Sequence, residues 1–292
     1  MNLNEKISIL RSAQTQRVDH LPIVSAYCRK LDLIDTINRI VPSEMEISPG
    51  VIIQGMVLDT LSGRSPLYRL SEFFKNQDTE LLLGEDIKAN SFNDTTVGRA
   101  LDLVYEAGTM AVFGAIGFKA VGLFRCDLKY LHFDTTSVSV WGDYDLYNGS
   151  EETKQLKITH GHSKDKRPDL KQFLIQTLCV EKNIPLLGGC EDGNTSDKAI
   201  NNKILTGISK TMARHGLEPG AYIYIADSAM VTKDNLNRIG ENLFISRLPF
   251  TYSECDRVIR DAVHNDSFED IGVTAHTKPT PNRPVASYRV PL

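Results

Sequence analysis

The sequence changes character at about residue 125, and this change most constrains the fold. Before it, apolar residues recur three and four positions apart, as on one face of an α-helix. After it, short apolar runs rich in β-branched residues alternate with polar turns. We therefore predict an all-helical domain over residues 1–125, for which DNA binding is one interpretation, and a second domain over residues 126–292. The expected fold class is α+β, with a mixed sheet flanked by helices in the second domain.

Several helix boundaries are marked in the first domain. Ser48 followed by Pro49 is an N-cap with proline at the first helical position. Gly84 is placed to end a short apolar run, and Asn93 precedes a helix that Gly108 ends. These signals predict several short helices joined by tight connections.

One interpretation of these helices is a DNA-binding domain. Thr95, Thr96 and Arg99 lie at the start of the last predicted helix, where a helix-turn-helix protein carries its base-contacting residues. Arg99 is therefore a candidate DNA-binding residue. The spacing is not diagnostic, and a small bundle with solvated arginines remains the alternative.

The second domain begins with strand-like runs in hairpin order, at residues 129–141, 173–180 and 184–189. Helices then alternate with strands: a helix that starts from residues 194–197 and ends before Gly216, a strand at 222–226, a helix around 234–239 and a strand at 243–246. Hairpin strands followed by alternating helices and strands predict a mixed sheet with helices on its faces.

The composition is that of an ordinary globular protein, with 41% hydrophobic residues and a net charge of −4. No run approaches the ~18 to 20 unbroken apolar residues of a membrane span, and residues 1–6 are polar rather than signal-like. We therefore expect a cytoplasmic protein without a membrane partner. The five cysteines are widely spaced without a zinc-type pair, so we expect reduced, buried thiols.

Two strand-like runs end on aspartates, Asp134 and Asp227, which are 93 residues apart. Carboxylates fixed on rigid strands are the hard-oxygen ligands that a divalent cation requires. Each aspartate also has a simpler interpretation. Asp134 would bond to neighbouring backbone, and Asp227 would cap the helix that begins near Thr232.

A basic segment, called the basic loop below, spans residues 154–171. It holds six cations and two anions, a local charge of +4: Lys154, Lys157, Lys164, Lys166, Arg167 and Lys171 against Asp165 and Asp169. Such a loop neutralises DNA phosphates without reading the base sequence. The candidate DNA-binding residues in it are Lys164, Lys166, Arg167, Lys171 and His162. A solvated charged loop is the alternative.

Two aromatic features have both a functional and a structural interpretation. Trp141 would stack on a base, although a lone tryptophan that ends a strand is more often part of the core. His160 and His162 face one side of a strand, but no further ligand of matching type accompanies them. We therefore favour DNA contact or plain surface placement for the histidines over a metal site.

Four ordered segments resemble the catalytic core of insertion-sequence transposases of the DDE type: residues 133–137, 161–171, 192–197 and 225–230. Residues 99–102 and 105–108 resemble the helical N-terminal domain common in one branch of that group. The resemblance covers nearly the whole chain. It implies a ribonuclease H-like fold in which the catalytic residues Asp134 and Asp227 bind two Mg²⁺ or Mn²⁺ ions, with double-stranded DNA as the partner.

The resemblance also implies a third ligand, a glutamate downstream of the second aspartate. Glu241, Glu254 and Glu269 are candidates, but none lies in a segment that resembles the glutamate-bearing helix of the family. The chain ends 65 residues after Asp227, and we expect a C-terminally truncated transposase. Two carboxylates without the third would hold metal weakly, so we expect this chain alone to be inactive.

Three functions follow from these observations. The first is a transposase fragment, from an enzyme that cleaves phosphodiesters and transfers DNA strands, with a second copy of the chain in a homo-oligomer as a candidate partner. The second is a non-catalytic DNA-binding protein that occupies element ends or inhibits a full-length transposase. The third, a host ribonuclease H-like nuclease, requires the missing acid within residues 228–292.

Overall fold

The structure is a computed structural model that describes residues 3, 7, 8, 16, 18–144, 156–214, 216, 218, 220–266, 268–273, 280, 281 and 288–291. Lys154 and most of the proline-rich residues 277–284 lie outside these ranges. The chain divides into two compact units, Met1–Thr195 and Ser196–Leu292, and each is described by itself.

Within residues 18–144, which the structure describes without a gap, seven helices precede the first strand. They are α1 (Leu21–Lys30), α2 (Leu33–Ile40), α3 (Pro49–Leu61), α4 (Leu70–Phe74), α5 (Thr79–Leu83), α6 (Asp94–Ala107) and α7 (Thr109–Phe124). Short 3-10 turns at Leu67–Arg69 and Ala89–Phe92 join some of them. The sequence did not mark α1 or α7 as separate helices.

The predicted caps are present. The Ser48 hydroxyl accepts a hydrogen bond from the Val51 amide at the start of α3, and the Asn93 side chain accepts one from the Thr96 amide at the start of α6. Gly84 ends α5 with a φ of 85°, the left-handed conformation that favours glycine. The local signals for these helix ends were therefore confirmed.

Among the described residues of the first unit, three antiparallel strands follow these helices: β1 (Tyr130–Val140), β2 (Lys171–Cys179) and β3 (Pro185–Glu191). Asp134 on β1 lies opposite Thr177 on β2, and Leu178 on β2 lies opposite Leu187 on β3. Helix α7 packs against β3 so closely that a Cβ at Gly117 would lie 2.5 Å from the Leu186 carbonyl oxygen. Glycine at this position therefore allows the helix to approach the strand.

The second unit alternates helices and strands, as predicted. Its elements are α8 (Asp197–Arg214), β4 (Ile223–Ile225), α9 (Lys233–Ile239), β5 (Leu243–Ile245), α10 (Ser253–Asn265), β6 (Phe268–Gly272) and β7 (Tyr288–Pro291). Strands β4 and β5 are parallel, and β6 and β7 form an antiparallel pair. The last three elements were not predicted.

The predicted α+β class is confirmed, because helices come first and a mixture of antiparallel and parallel strands with helices follows. The predicted domains, 1–125 and 126–292, stay a prediction. Secondary structure changes between Phe124 and Tyr130, whereas the compact units divide after Thr195. In the described ranges no single helix combines the length and apolar character of a membrane span; α6 and α7 do so only as a pair bent by 86°.

Candidate functional site

Asp134 stands on the open face of β1. Side chains alternate along a strand, and Leu131, Phe133, Thr135 and Ser137 occupy the buried face. Asp134 therefore points the other way, and its side chain is 81% exposed. A carboxylate placed in this way is rigid in its backbone and open to solvent or a ligand.

Two groups lie close to the carboxylate of Asp134, one on β1 and one on the basic loop. Its Oδ1 accepts a 2.7 Å hydrogen bond from the Thr135 amide, which is the local bond of the simpler interpretation. The ammonium of Lys164 lies 3.7 Å from the same oxygen. One carboxylate oxygen is thus engaged locally, while Oδ2 has no hydrogen bond within the described part of the chain.

Lys164 attaches the basic loop to β1. Its ammonium donates to the carbonyl oxygen of Thr135 and, at 2.8 Å, to the hydroxyl of the same residue. Its backbone amide donates to the Ser137 hydroxyl at 3.2 Å. The sequence predicted Lys164 as a DNA-binding residue, and this stays a prediction. The structure shows that the bonds from its ammonium to Thr135 hold the basic loop beside Asp134.

The basic loop is also fastened to the segment after β3. The Gly193 amide donates to the Lys157 carbonyl at 3.0 Å, and the Lys157 amide donates to the Asp192 carboxylate at 2.8 Å. The buried Gln172 amide group donates to the Gly193 carbonyl at 2.8 Å. A Cβ at Gly161 would collide with the Gly193 carbonyl oxygen, so glycine is required there. Two of the motif segments, 161–171 and 192–197, are therefore joined.

The remaining candidate DNA-binding residues of the basic loop differ in their exposure and in whether they form ion pairs. Arg167 makes two hydrogen bonds to Asp169, at 2.9 and 2.7 Å, and these lower the pKa of Asp169. Lys171 is only 15% exposed and lies 3.6 Å from Asp143. Lys166 is exposed and has no ion pair with any residue that the structure describes. His162 is exposed, and its carbonyl accepts from Gln172.

Arg99 lies on a helix of the N-terminal region and not on the basic loop. It is exposed on α6 and, with Leu103 and residues 42–45, lines an open cleft of about 690 Å³. Thr95 is exposed, whereas the amide and hydroxyl of Thr96 both donate to Asn93. The helix-turn-helix interpretation stays a prediction.

Asp227 follows β4 in the second unit and is exposed. Its Oδ1 accepts a 3.1 Å hydrogen bond from the Ala229 amide, so it caps the 3-10 turn Ser228–Met230. The helix that it was expected to cap, α9, is capped by Thr232 instead. Burial raises the pKa of Tyr224, and the negative charge of Asp227 raises it further.

A cleft of about 400 Å³ begins directly after Asp227. It is lined by Lys198, Ser228, Ala229, Val231, Pro249, Thr251 and Tyr252. The Tyr252 hydroxyl donates to the Val231 carbonyl at 3.0 Å, which fixes one wall. The lining of the cleft thus includes one cationic side chain and three hydroxyl side chains, of which the Tyr252 hydroxyl is already hydrogen-bonded.

Asp134 and Asp227 belong to different compact units, and their sharing of a cation stays a prediction. Of the three candidate glutamates, Glu254 is paired with Arg257 in the first turn of α10, Glu241 precedes β5 and Glu269 lies on β6. Within the described ranges, no group of three or more His, Cys, Asp and Glu side chains is arranged to hold a metal ion.

Sequence reasoning missed the polar residues on the buried face of the antiparallel sheet. Thr135, Ser137, Gln172 and Gln176 are all buried there, and Gln176 donates to Glu191 at 3.2 Å. Their even spacing along β1 and β2 was the available signal. Trp141, for which a core position was the more common expectation, is instead 72% exposed.

The comparisons with known proteins concern only the helical region. Residues 13–118 match the model of a family described as a domain of unknown function, DUF4277. The match ends within α7, before the first strand. No curated protein and no solved structure matches the chain.

Proposed function

We propose that the chain carries the core of a DDE-type DNA transposase, in which Asp134 and Asp227 are the catalytic carboxylates. The observation that carries the proposal is the exposed Asp134 on β1, with a basic loop anchored to the same strand through Lys164. Along the chain, the antiparallel strands β1, β2 and β3 are followed by α8, β4, α9 and β5. Strand β5 is parallel to β4. That order fits the proposed ribonuclease H-like fold.

The two carboxylates fit a hard divalent cation by their chemistry. Both are exposed, and each uses only Oδ1 in a local bond to a backbone amide. Oxygen ligands match Mg²⁺ and Mn²⁺, whereas thiolates and imidazoles favour softer metals. When bound, such ions activate the attacking hydroxyl and stabilise the leaving oxygen of a phosphodiester.

The basic loop holds the DNA backbone near Asp134. Lys166 contributes an exposed charge, and Arg167 exchanges its exposed partner Asp169 for a phosphate at little cost, because surface ion pairs contribute little to stability. Lys164 positions the loop. Double-stranded DNA is therefore the proposed partner, and the binding is electrostatic rather than sequence-specific.

We further propose that this chain alone does not cleave DNA. Two carboxylates hold a cation weakly, and the Lys164 ammonium close to Asp134 opposes a second positive charge there. This ion pair favours a second candidate function, a DNA-binding protein without catalysis that acts at element ends or inhibits a full-length transposase. The two candidates differ in whether a cation binds to the carboxylates.

A titration of Mn²⁺ into the purified chain tests the shared cation. We compare Asp134→Asn, Asp227→Asn and the double variant by calorimetry, with Asp234→Asn as a control at another exposed aspartate. If one ion bridges both carboxylates, each single change weakens binding by about ten-fold or more, and the double change is no worse than either single change.

Four outcomes bear on the proposal. Loss of one bound ion in each single variant, with unchanged affinity for a remaining ion, would mean two independent sites, and unchanged binding in both single variants would remove the metal from the proposal. Retained DNA binding in a gel shift without any effect of Mn²⁺ would favour the non-catalytic protein. Robust nicking of element-end DNA by the wild-type chain with Mg²⁺ would contradict its proposed inactivity.

A further inference from the structure

An open cleft lies where β1 ends. It has a volume of about 370 Å³, and its lining includes Trp141, Asp143, His160, Asp169 and Lys171. The chain turns at Gly142, which has a φ of 139°, and the Tyr144 hydroxyl donates to the Trp141 carbonyl at 3.3 Å. These contacts hold the backbone of Trp141 and leave its indole 72% exposed at the cleft.

The charged groups around the cleft compensate one another. The Lys171 ammonium lies 3.6 Å from the Asp143 carboxylate, and Arg167 binds Asp169 with two hydrogen bonds. The cleft therefore offers a flat aromatic surface bordered by polar groups, with little net charge. A neutral planar ligand with hydrogen-bonding edges fits this chemistry better than a phosphate does.

Positive charge is available on the adjoining loop instead. Lys166 is exposed without an ion pair among the residues that the structure describes, and it lies five residues from Lys171 in the cleft wall. A cationic loop beside an aromatic surface is the arrangement by which proteins hold a single strand, with phosphates on the cations and bases on the rings. Both halves of that arrangement are present here.

We propose that the Trp141 cleft binds an unpaired nucleobase of DNA, stacked on the indole. Bases inside a duplex are already stacked on their neighbours, so the cleft takes a base from an opened or frayed strand. The inference rests on the proposed function for the choice of DNA. It goes beyond that function because it assigns a site for single-stranded DNA to the end of β1, formed by residues other than the two aspartates.

The fluorescence of Trp141 reports directly on this cleft, since Trp141 is the only tryptophan in the chain. The full chain is titrated, in the presence of EDTA, with a mixed-sequence single strand of about 12 nucleotides. We expect saturable quenching. A strand of the same length and charge that lacks its bases should bind through the loop without quenching the fluorescence.

Affinity is measured separately by the anisotropy of the labelled strand. Trp141→Ala should weaken single-strand binding about ten-fold, and Trp141→Phe, which keeps a ring, should lose much less. Tyr68→Ala is the matched control, because Tyr68 is 62% exposed but lies in the helical region. It should change neither measurement. Circular dichroism verifies that each variant is folded.

Three results would overturn the inference. The first is equal quenching by the strand without bases, which would indicate phosphate contact alone. The second is unchanged affinity in Trp141→Ala. The third is concentration-dependent quenching without DNA, which would indicate that a second copy covers the cleft. The fluorescence assay contains no metal and is therefore independent of the Mn²⁺ titration. Quenching by DNA together with a failed Mn²⁺ titration would overturn the proposed metal site and leave this inference standing. Mn²⁺ binding without quenching by DNA would overturn this inference and leave the metal site standing.

Discussion

The helical region and the segment 243–273 use apolar residues in opposite ways. In the helices, Phe74 and Phe92 stack with ring centroids 4.1 Å apart, and Ile52 and Leu58 are fully buried beside other apolar residues. In the segment that holds β5, α10 and β6, no described residue is buried. Many of its large apolar residues, among them Phe244, Ile259 and Val263, are exposed.

The difference shows where stability comes from in this chain. Burial removes apolar area from water at about 25 cal/mol per Å², so the helical core accounts for much of the folding free energy of its unit. Helix α10 depends on ion pairs along its own surface, between Arg257 and Glu254 or Asp261 and between Arg260 and Asp256. Exposed pairs of this kind contribute little and are screened by salt.

The largest effect is expected from Phe92→Ala. Phe92 is fully buried against Phe74, so its removal should lower the free energy of unfolding by about 3 to 5 kcal/mol. Urea unfolding followed by circular dichroism measures the loss. Val263→Ala, at an exposed apolar position of α10, is the matched control and should change stability by less than about 0.5 kcal/mol. Similar losses in the two variants would break the comparison.

An intermediate effect is expected from Ser48→Ala at the start of α3. The Ser48 hydroxyl accepts from the Val51 amide at 3.4 Å and from the Asn38 amide group at 3.0 Å. Loss of this cap should lower the free energy of unfolding by about 1 kcal/mol in the same urea experiment. Ser48→Thr keeps the hydroxyl and should retain most of the stability. An equal loss with threonine would assign the effect to packing instead.

The sequence predicted those parts of the fold that are set within a few residues. A cap acts on the amide two or three positions ahead, and a left-handed glycine ends its own helix. Ser48, Gly84 and Asn93 could therefore be assigned without knowledge of the fold. Helix α7 could not, because its apolar residues surround most of its circumference and its place depends on contact with β3.

The candidate site divides in the same way. The aspartates could be proposed as candidates because each follows an apolar run in the sequence, and their role stays a prediction. The partners of the cationic side chains could not be predicted, because they depend on the fold rather than on the net charge of the loop. Lys164 bonds to Thr135, and Lys171 pairs with Asp143. The burial of Ser137 on β1 could not be predicted either, because it depends on the anchored loop, where the Lys164 amide donates a hydrogen bond to the Ser137 hydroxyl.

The smallest effect is expected from Arg257→Ala, and it tests whether α10 rests on local ion pairs. Hydrogen bonds from Arg257 lower the pKa of Glu254, so the stabilisation is present above the unfolded pKa of this carboxyl and is lost as the pH falls through the lowered value. Amide hydrogen exchange in α10 should therefore become slightly faster at neutral pH, and the difference from wild type should vanish in acid. Arg260→Ala, which breaks the separate pair with Asp256, should likewise make exchange in α10 slightly faster at neutral pH. Faster exchange that persists in acid would mean that the aliphatic part of Arg257 packs against the helix, and α10 would then resemble the helical region more than its exposure suggests.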